Sequence, residues 1–221
     1  MRTVLKHIVA STYKPLLVKY LSKKRIYHYK GLRLEIPPEV FHPGFFSSTQ
    51  LLLKYVMGLQ PDGKAILELG AGSGLIAMMA ARKGAAVTAS DINPVAVEYL
   101  QKNSYRNKLS LTIIHSDLFE NIPQQFFDII AVNPPYYKKD PVYPAEYAWY
   151  CGANGEYFQK LFEGLAAYAN YPCTIIMTLC DGCDLSLITN LAAVNGFRLS
   201  LRQTKQQILE KNFVYEIERK L

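Results

Sequence analysis

The sequence predicts an α/β fold built on a mainly parallel sheet. Three observations carry this. From about residue 45, short apolar runs alternate with stretches of helical periodicity. A glycine-rich string, ELGAGSG (residues 68–74), sits where the first apolar run meets a helix. The last two apolar runs follow one another with no helix between them, which marks an antiparallel pair at one sheet edge.

In order, residues 48–58 read as a helix, 65–69 (AILEL) as a strand and 74–83 as a helix. Residues 86–90 (AVTAS) form a strand, and 94–106 a helix with Pro94 in its first turn. Strands follow at 111–115 and 126–132 (FFDIIAV), then a long irregular loop over 133–152. A helix at 155–169, a strand at 173–180, a helix at 184–195 and strands near 197–204 and 212–219 complete the pattern. Upstream, Val4, Leu5, Ile8 and Val9, then Leu16, Leu17, Tyr20 and Leu21, are helically spaced on either side of Pro15, which breaks or kinks the run. IYHY-KG-LRLEI (26–36) reads as a β-hairpin turning at Lys30-Gly31 and ended by Pro37-Pro38.

With 221 residues, half of them hydrophobic, the chain fits one globular catalytic unit with a short appendage. Four cysteines are too few for a disulfide scaffold and fit a reducing cytoplasm. Cys180 and Cys183 form a CxxC without two further ligands at zinc spacing, so they read as small apolar residues at a strand end and no metal is expected. No apolar run approaches the roughly 18–20 residues of a membrane span. Lys, His and Arg interrupt the N-terminal stretch, so neither a signal peptide nor a membrane anchor is expected, and the excess of Lys over Arg argues against a transit peptide. The net charge of +7 is uneven. Residues 1–34 hold nine basic residues and no acid, whereas the rest holds 16 basic and 18 acidic residues. Such a segment suits a polyanion such as RNA, or simply a solvated face.

Four motifs carry chemistry. In ELGAGSG, Gly70, Gly72 and Gly74 permit a tight turn and close backbone approach to a ligand, and the following helix offers free N–H groups to a carboxylate. A dinucleotide fingerprint would place its third glycine at 75; that residue is Leu75, so the spacing favours a nucleoside ligand without a pyrophosphate. In SDINP (90–94), Asp91 ends the second strand, 17 residues after Gly74, where a carboxylate can grip two ribose hydroxyls. Helix capping by Asp91 or Asn93 is the competing, and compatible, use. In HSDLF (115–119), Asp117 could accept from an adenine amino group while Leu118 lies against the purine; alone, a turn aspartate explains it as well. In NPPY (133–136), two prolines fix a rigid backbone, so that a carbonyl near Pro134 and the Asn133 side chain face the site as paired hydrogen-bonding groups beside the flat wall of Tyr136.

That last set suits a planar amide or aromatic amine. Its nitrogen is a poor nucleophile because the lone pair is delocalised. Two acceptors gripping its N–H groups favour a more tetrahedral geometry, and an aromatic face holds it in line; positioning, not a strong base, does the work. The four histidines, His7, His28, His42 and His115, form no catalytic or metal spacing and read as structural or surface residues.

In order and spacing, these motifs resemble class I S-adenosylmethionine-dependent methyltransferases, and NPPY resembles the HemK/PrmC-like branch, the methyltransferase small domain. AWYCGANGEYFQKLF (148–162) is similar to the glycine-containing stretch after the NPPY loop in that branch, and VFHPGFFSST (40–49) to the segment that closes over the cofactor. The resemblance spans about residues 36–220. It implies a Rossmann-like, seven-stranded sheet with helices on both faces and a C-terminal antiparallel hairpin. It divides the chain into a basic N-terminal extension (1–44, helix and β-hairpin) and a catalytic domain (45–221).

The resemblance further implies that S-adenosylmethionine is the cofactor and S-adenosylhomocysteine the product. Glu68, Gly70 and Gly72 would line its methionine part, Asp91 would hold the ribose, Asp117 with Leu118 the adenine, and Ile92 would also be cofactor-binding. Asn133, beside the transferred methyl, would with Pro134 and Tyr136 hold the target nitrogen. In HemK-type enzymes the target is the glutamine of the GGQ motif in translation release factors. Bacterial members carry a helical N-terminal substrate domain, whereas here about 35 basic-rich residues precede the matched region. That architecture is closer to eukaryotic-type relatives, which work with a small partner subunit. Other NPPY enzymes methylate adenine or guanine amines in RNA or DNA, and the basic segment fits those. A binding module on a decayed methyltransferase fold is the non-catalytic alternative, opposed by the intact Gly70, Gly72, Asp91 and Asn133.

Overall fold

The computed structural model describes residues 19–207 and 210–220. Most of the helical run expected over 3–22 lies outside the described residues. The body begins with a two-stranded hairpin, β1 (Arg25–Tyr29) and β2 (Leu32–Ile36), followed by α1 (Ser47–Gly58). Then come β3 (Ala65–Leu69), α2 (Leu75–Ala81), β4 (Ala86–Asp91), α3 (Pro94–Arg106), β5 (Thr112–His115) and β6 (Phe127–Val132). A 3₁₀ turn at Pro144–Ala148 interrupts the expected long loop. The chain continues through α4 (Glu156–Leu165), β7 (Ala169–Cys180), α5 (Leu185–Val194), β8 (Phe197–Gln206) and β9 (Lys211–Arg219).

Strands β3 to β9 form a seven-stranded sheet in the order β5-β4-β3-β6-β7-β9-β8. The first five are parallel; β9 runs antiparallel to β7, and β8 to β9. This is the Rossmann-like sheet with its terminal hairpin that the sequence implied. Strand alternation sorts the core onto two faces. Ile66, Ile129, Ala131, Ile176 and Val214 pack with α1, α2 and the first hairpin. Leu67, Leu69, Ile130, Val132, Met177 and Leu179 pack with α4 and α5.

The main local departure is around 166–172. The sequence favours helix to 169, but α4 ends at Leu165 and β7 starts at Ala169. Tyr168 is held down through its hydroxyl, which lies 2.8 Å from the Ile122 carbonyl, and its ring stacks on Phe119. Phe127 pairs with Ala169, but Ile129 pairs with Thr174. The surplus residues bulge out there, where Pro172, which has no N–H to give, is tolerated.

The hairpin turns through Lys30 (φ +43°) and Gly31 (φ +82°), two positive φ values in succession, as a type I′ turn requires. It does not join the large sheet. Two asparagines four residues apart, Asn103 on α3 and Asn107 capping its C-terminal end, engage β2 instead. Asn103 accepts from the Glu35 N–H (2.8 Å) and donates to the Glu35 carbonyl (3.0 Å). Asn107 does the same with Arg33, at 2.9 and 3.0 Å. Each amide thus satisfies one residue of the strand edge as a neighbouring strand would. Glu35 also pairs with Arg106 at 2.6 Å, while Leu32, Leu34 and Ile36 are buried beneath.

Asn103 is fully buried. Asn103→Ala is expected to lower the unfolding free energy by about 1–3 kcal/mol, because it strands buried polar groups of β2. Urea denaturation would report this as a lower midpoint, with a smaller shift for Asn107→Ala, whose side chain is only half-buried.

Candidate active site

From β3 the chain works outward to β4 and β5, then returns to place β6 on the other side of β3. A crevice opens at the carboxyl ends of the strands where that reversal occurs, the usual ligand position in such sheets. Here it is a cleft of about 940 Å³, counting its open mouth. Glu68, Gly70, Gly72, Asp91, Ile92, Asn133, Pro134 and Tyr136 all line it.

Glu68 and Asp91 are buried at the tips of β3 and β4. Glu68 Oε2 accepts the Ala77 N–H at 2.7 Å, from the first turn of α2. Asp91 Oδ2 accepts the Gly72 N–H at 2.8 Å and Oδ1 the Asn93 N–H at 2.9 Å. The helix cap falls to Asn93, whose Oδ1 accepts from Val95 at 3.0 Å, so Asp91 braces the glycine turn and keeps its remaining lone pairs. Burial pushes the Glu68 carboxyl up to about 8, with the Ala77 N–H opposing and Asp91 adding to the rise. Burial also raises Asp91, against the N–H groups of Asn93 and Gly72.

Two glycines show why the turn needs them. At Gly74 (φ +77°) a Cβ would collide with the side chains of Leu100 and Met78. At Gly70 (φ +66°) a Cβ would meet nothing within 4 Å, so it would intrude into the cleft. A cradle left open by glycine, with two desolvated carboxyl groups beside it, fits a ligand that carries a cation and hydroxyls.

Asp117 and Leu118 line an adjoining compartment that shares Gly70, Ile92, Pro135, Tyr147 and Tyr157 with the cleft. Asp117 is engaged there by Lys160 at 2.5 Å. Leu118 is buried and holds a positive φ of +48°, an uncommon conformation for a bulky residue. His115 has a structural place, its Nε2 lying 2.8 Å from the Ile92 carbonyl.

On the opposite wall, Asn133 follows β6 directly. Its Nδ2 donates to Thr49 Oγ1 at 3.4 Å, and its Oδ1 accepts from Thr178 Oγ1 at 2.7 Å. The N–H groups of Tyr136 and Tyr137 both donate to the Trp149 carbonyl, at 3.2 and 3.0 Å. The Trp149 ring packs against Phe41 and Phe46, with centroids at 5.1 and 5.2 Å. Tyr136 Oη lies 3.5 Å from Glu210 Oε1, and burial, with Cys180 and Glu210 adding, raises its hydroxyl well above the usual phenol range. Cys180 is buried and Cys183 half-buried, with sulfurs 3.8 Å apart. Among the described residues, no group of three His, Cys, Asp or Glu could hold a metal, and no helix is long and apolar enough to cross a membrane.

The ten residues singled out in the sequence thus lie in one cleft and its annex. Sequence reading missed Thr49 and Thr178, the two hydroxyls on Asn133, and Tyr157, which lies between the compartments. Thr178 had one weak signal: a single polar residue near the end of the apolar strand TIIMTLC.

The methyltransferase small domain model matches residues 33–145. The chain belongs to that family. A provisionally named protein N5-glutamine methyltransferase of Methanocaldococcus jannaschii is 40% identical over 108 residues, 48% of this chain and 52% of that protein. A tRNA1(Val) (adenine(37)-N6)-methyltransferase of a Flavobacteriaceae bacterium is 34% identical over 119 residues, 52% of this chain and 50% of that protein. The matched region thus spans about half the length of these curated relatives. Among solved structures, the E. cuniculi Mtq2–Trm112 complex, responsible for methylating the termination factor eRF1, shares the fold at a TM-score of 0.62. It is 18% identical, covering 82% of this chain and 99% of that one.

In this small-domain chain the raised Glu68 carboxyl has a measurable consequence. Between its ordinary value of 4.5 and about 8, the folded form holds a proton that the unfolded chain has released. Stability should therefore fall as pH rises through that window. In Glu68→Gln the fall should be shallower, Asp91 supplying the remainder. Denaturation midpoints across the window would show it; an unchanged slope would mean that Glu68 is not held protonated.

Proposed function

We propose that this chain is an S-adenosylmethionine-dependent N-methyltransferase whose acceptor is the side-chain amide of a protein glutamine, of the release-factor type. The observation that supports it most is the Asn133 amide, held between Thr49 and Thr178 beside the chamber of Glu68 and Asp91. The glutamine assignment within that reaction class draws on the Methanocaldococcus relative.

When bound, S-adenosylmethionine supplies an electrophilic methyl on a sulfonium and leaves as S-adenosylhomocysteine. Glu68, ionised as a cation approaches, and the Gly70–Gly72 backbone would hold the methionine part. Asp91 would take the ribose hydroxyls, Ile92 and Leu118 the purine faces, and Asp117 the adenine amino group. Asn133 Oδ1 and the Pro134 carbonyl would accept the two N–H bonds of the acceptor. Both bonds strengthen as positive charge develops on nitrogen, so they favour the transition state over the ground state. Tyr136 supplies the flat wall that keeps the amide in line.

A second reading, methylation of an exocyclic adenine or guanine amine in RNA or DNA, is favoured by the nine basic residues before Glu35 and by the tRNA methyltransferase relative. A planar amine fits the same clamp. A small partner subunit, as in the Mtq2–Trm112 complex, and a cytoplasmic location complete the proposal.

The decisive assay offers radiolabelled S-adenosylmethionine with release factors and, separately, with total RNA. Label in the release factor supports glutamine. Label in RNA, with salt-sensitive binding lost when Lys23, Lys24 and Arg25 are neutralised, selects the second reading. Failure to bind the cofactor would leave a non-catalytic module. Asn133→Ala should keep cofactor affinity within about twofold while transfer falls on the order of 100-fold. Full activity in that variant would remove the role given to Asn133.

A further inference from the structure

The two ends of an asparagine amide are nearly the same shape, and only one end suits this reaction. An acceptor nitrogen presents N–H groups, so Asn133 must turn its oxygen to them; its NH₂ would oppose them donor to donor. Nothing in Asn133 itself selects the oxygen. The choice belongs to its neighbours.

Thr178 is fully buried near the end of β7, which is paired to β6 at Val132–Met177, so its backbone is fixed beside Asn133. A hydroxyl sunk in an apolar strand needs a partner, and it finds Asn133 Oδ1 at 2.7 Å. Thr49 is also buried, in the first helical turns of α1, with Oγ1 at 3.4 Å from Nδ2. A threonine hydroxyl can donate or accept, but it has one proton to place, and the buried Thr178 hydroxyl gives its proton to Asn133 Oδ1. With the amide reversed that proton would face an NH₂, so Thr178 favours oxygen at its end, and Thr49 Oγ1 then accepts from the NH₂ at the other. The carbonyl oxygen retains a second lone pair for the acceptor.

We infer that Thr178 and Thr49 are positioning residues that hold the Asn133 amide with its oxygen toward the acceptor nitrogen, and so select N–H-bearing acceptors. This rests on the role proposed above for Asn133. It makes a distinct claim, that the orientation is imposed by two hydroxyls rather than by the NPPY backbone alone.

The test uses the full chain labelled with ¹⁵N-asparagine, with the Asn133 NH₂ pair identified by its loss in Asn133→Asp. Thr178→Val keeps the shape and removes the hydroxyl. It should shift or double that pair and lower kcat about tenfold, with the cofactor Kd unchanged. Thr178→Ser should recover most of both effects. Thr49→Val should act in the same direction more weakly, as its longer contact implies, and stands in if Thr178→Val does not fold. An unchanged NH₂ pair in the Val variants overturns the inference whatever the transfer assay shows. A moved pair with unaltered kcat overturns the positioning role. If the wild type transfers no methyl to release factor or RNA, the proposed function fails, and the amide spectra alone then decide whether the two threonines hold Asn133.

Discussion

The turn from β3 into α2 is braced by two carboxyl groups that have been taken out of water, and the site is arranged around that brace. Glu68 reaches forward to the first turn of α2 and Asp91 reaches across from β4 to Gly72. Each bond satisfies an N–H that the turn would otherwise leave bare. The price is desolvation, which raises both acids and favours the protonated form of Glu68 at neutral pH. In the proposed reaction, a cation or a pair of hydroxyls arriving in the cleft would relieve that cost. The two groups that hold the loop are then also the ones proposed to hold the ligand.

The opposite wall of the cleft is built differently. It has little backbone regularity and draws on four distant segments: the start of α1, the NPPY turn, the end of β7 and the start of β9. Ser47 and Asn212, 165 residues apart, meet through a 2.7 Å hydrogen bond, and Asn212 also donates to Glu210 at 3.0 Å. Asn133 sits between Thr49 and Thr178, while the Trp149 carbonyl takes two N–H groups from the NPPY strap. The first turn of α1 is the common member. Phe46 just before it packs on Trp149, Ser47 reaches β9 and Thr49 reaches Asn133. The segment over the cleft and the amide that faces it therefore share one element.

Much of this was legible in the sequence. The period-two and helical patterns placed the strands and helices within a few residues, because each is a local backbone solution repeated along the chain. The two consecutive final strands announced the antiparallel edge. ELGAGSG, SDINP, HSDLF and NPPY each followed a strand. In a parallel sheet all strand ends meet on one rim, so order along the chain was enough to bring those motifs together. The spacing of the glycines alone turned the reading away from a dinucleotide.

The tertiary structure decided what has no local period. Asn103 and Asn107 look like ordinary polar helix residues; only packing places them on the edge of β2, 68 and 74 residues away. Lys160 meets Asp117 across 43 residues, and Thr49 meets Asn133 across 84. The bulge at Pro172 depends on how β6 and β7 register, and neither strand states that register by itself. Composition and periodicity report what a segment must bury. Which distant hydroxyl or amide answers a given buried polar group is decided only when the faces are pressed together, since a single side-chain hydrogen bond imposes no repeat on the sequence that makes it.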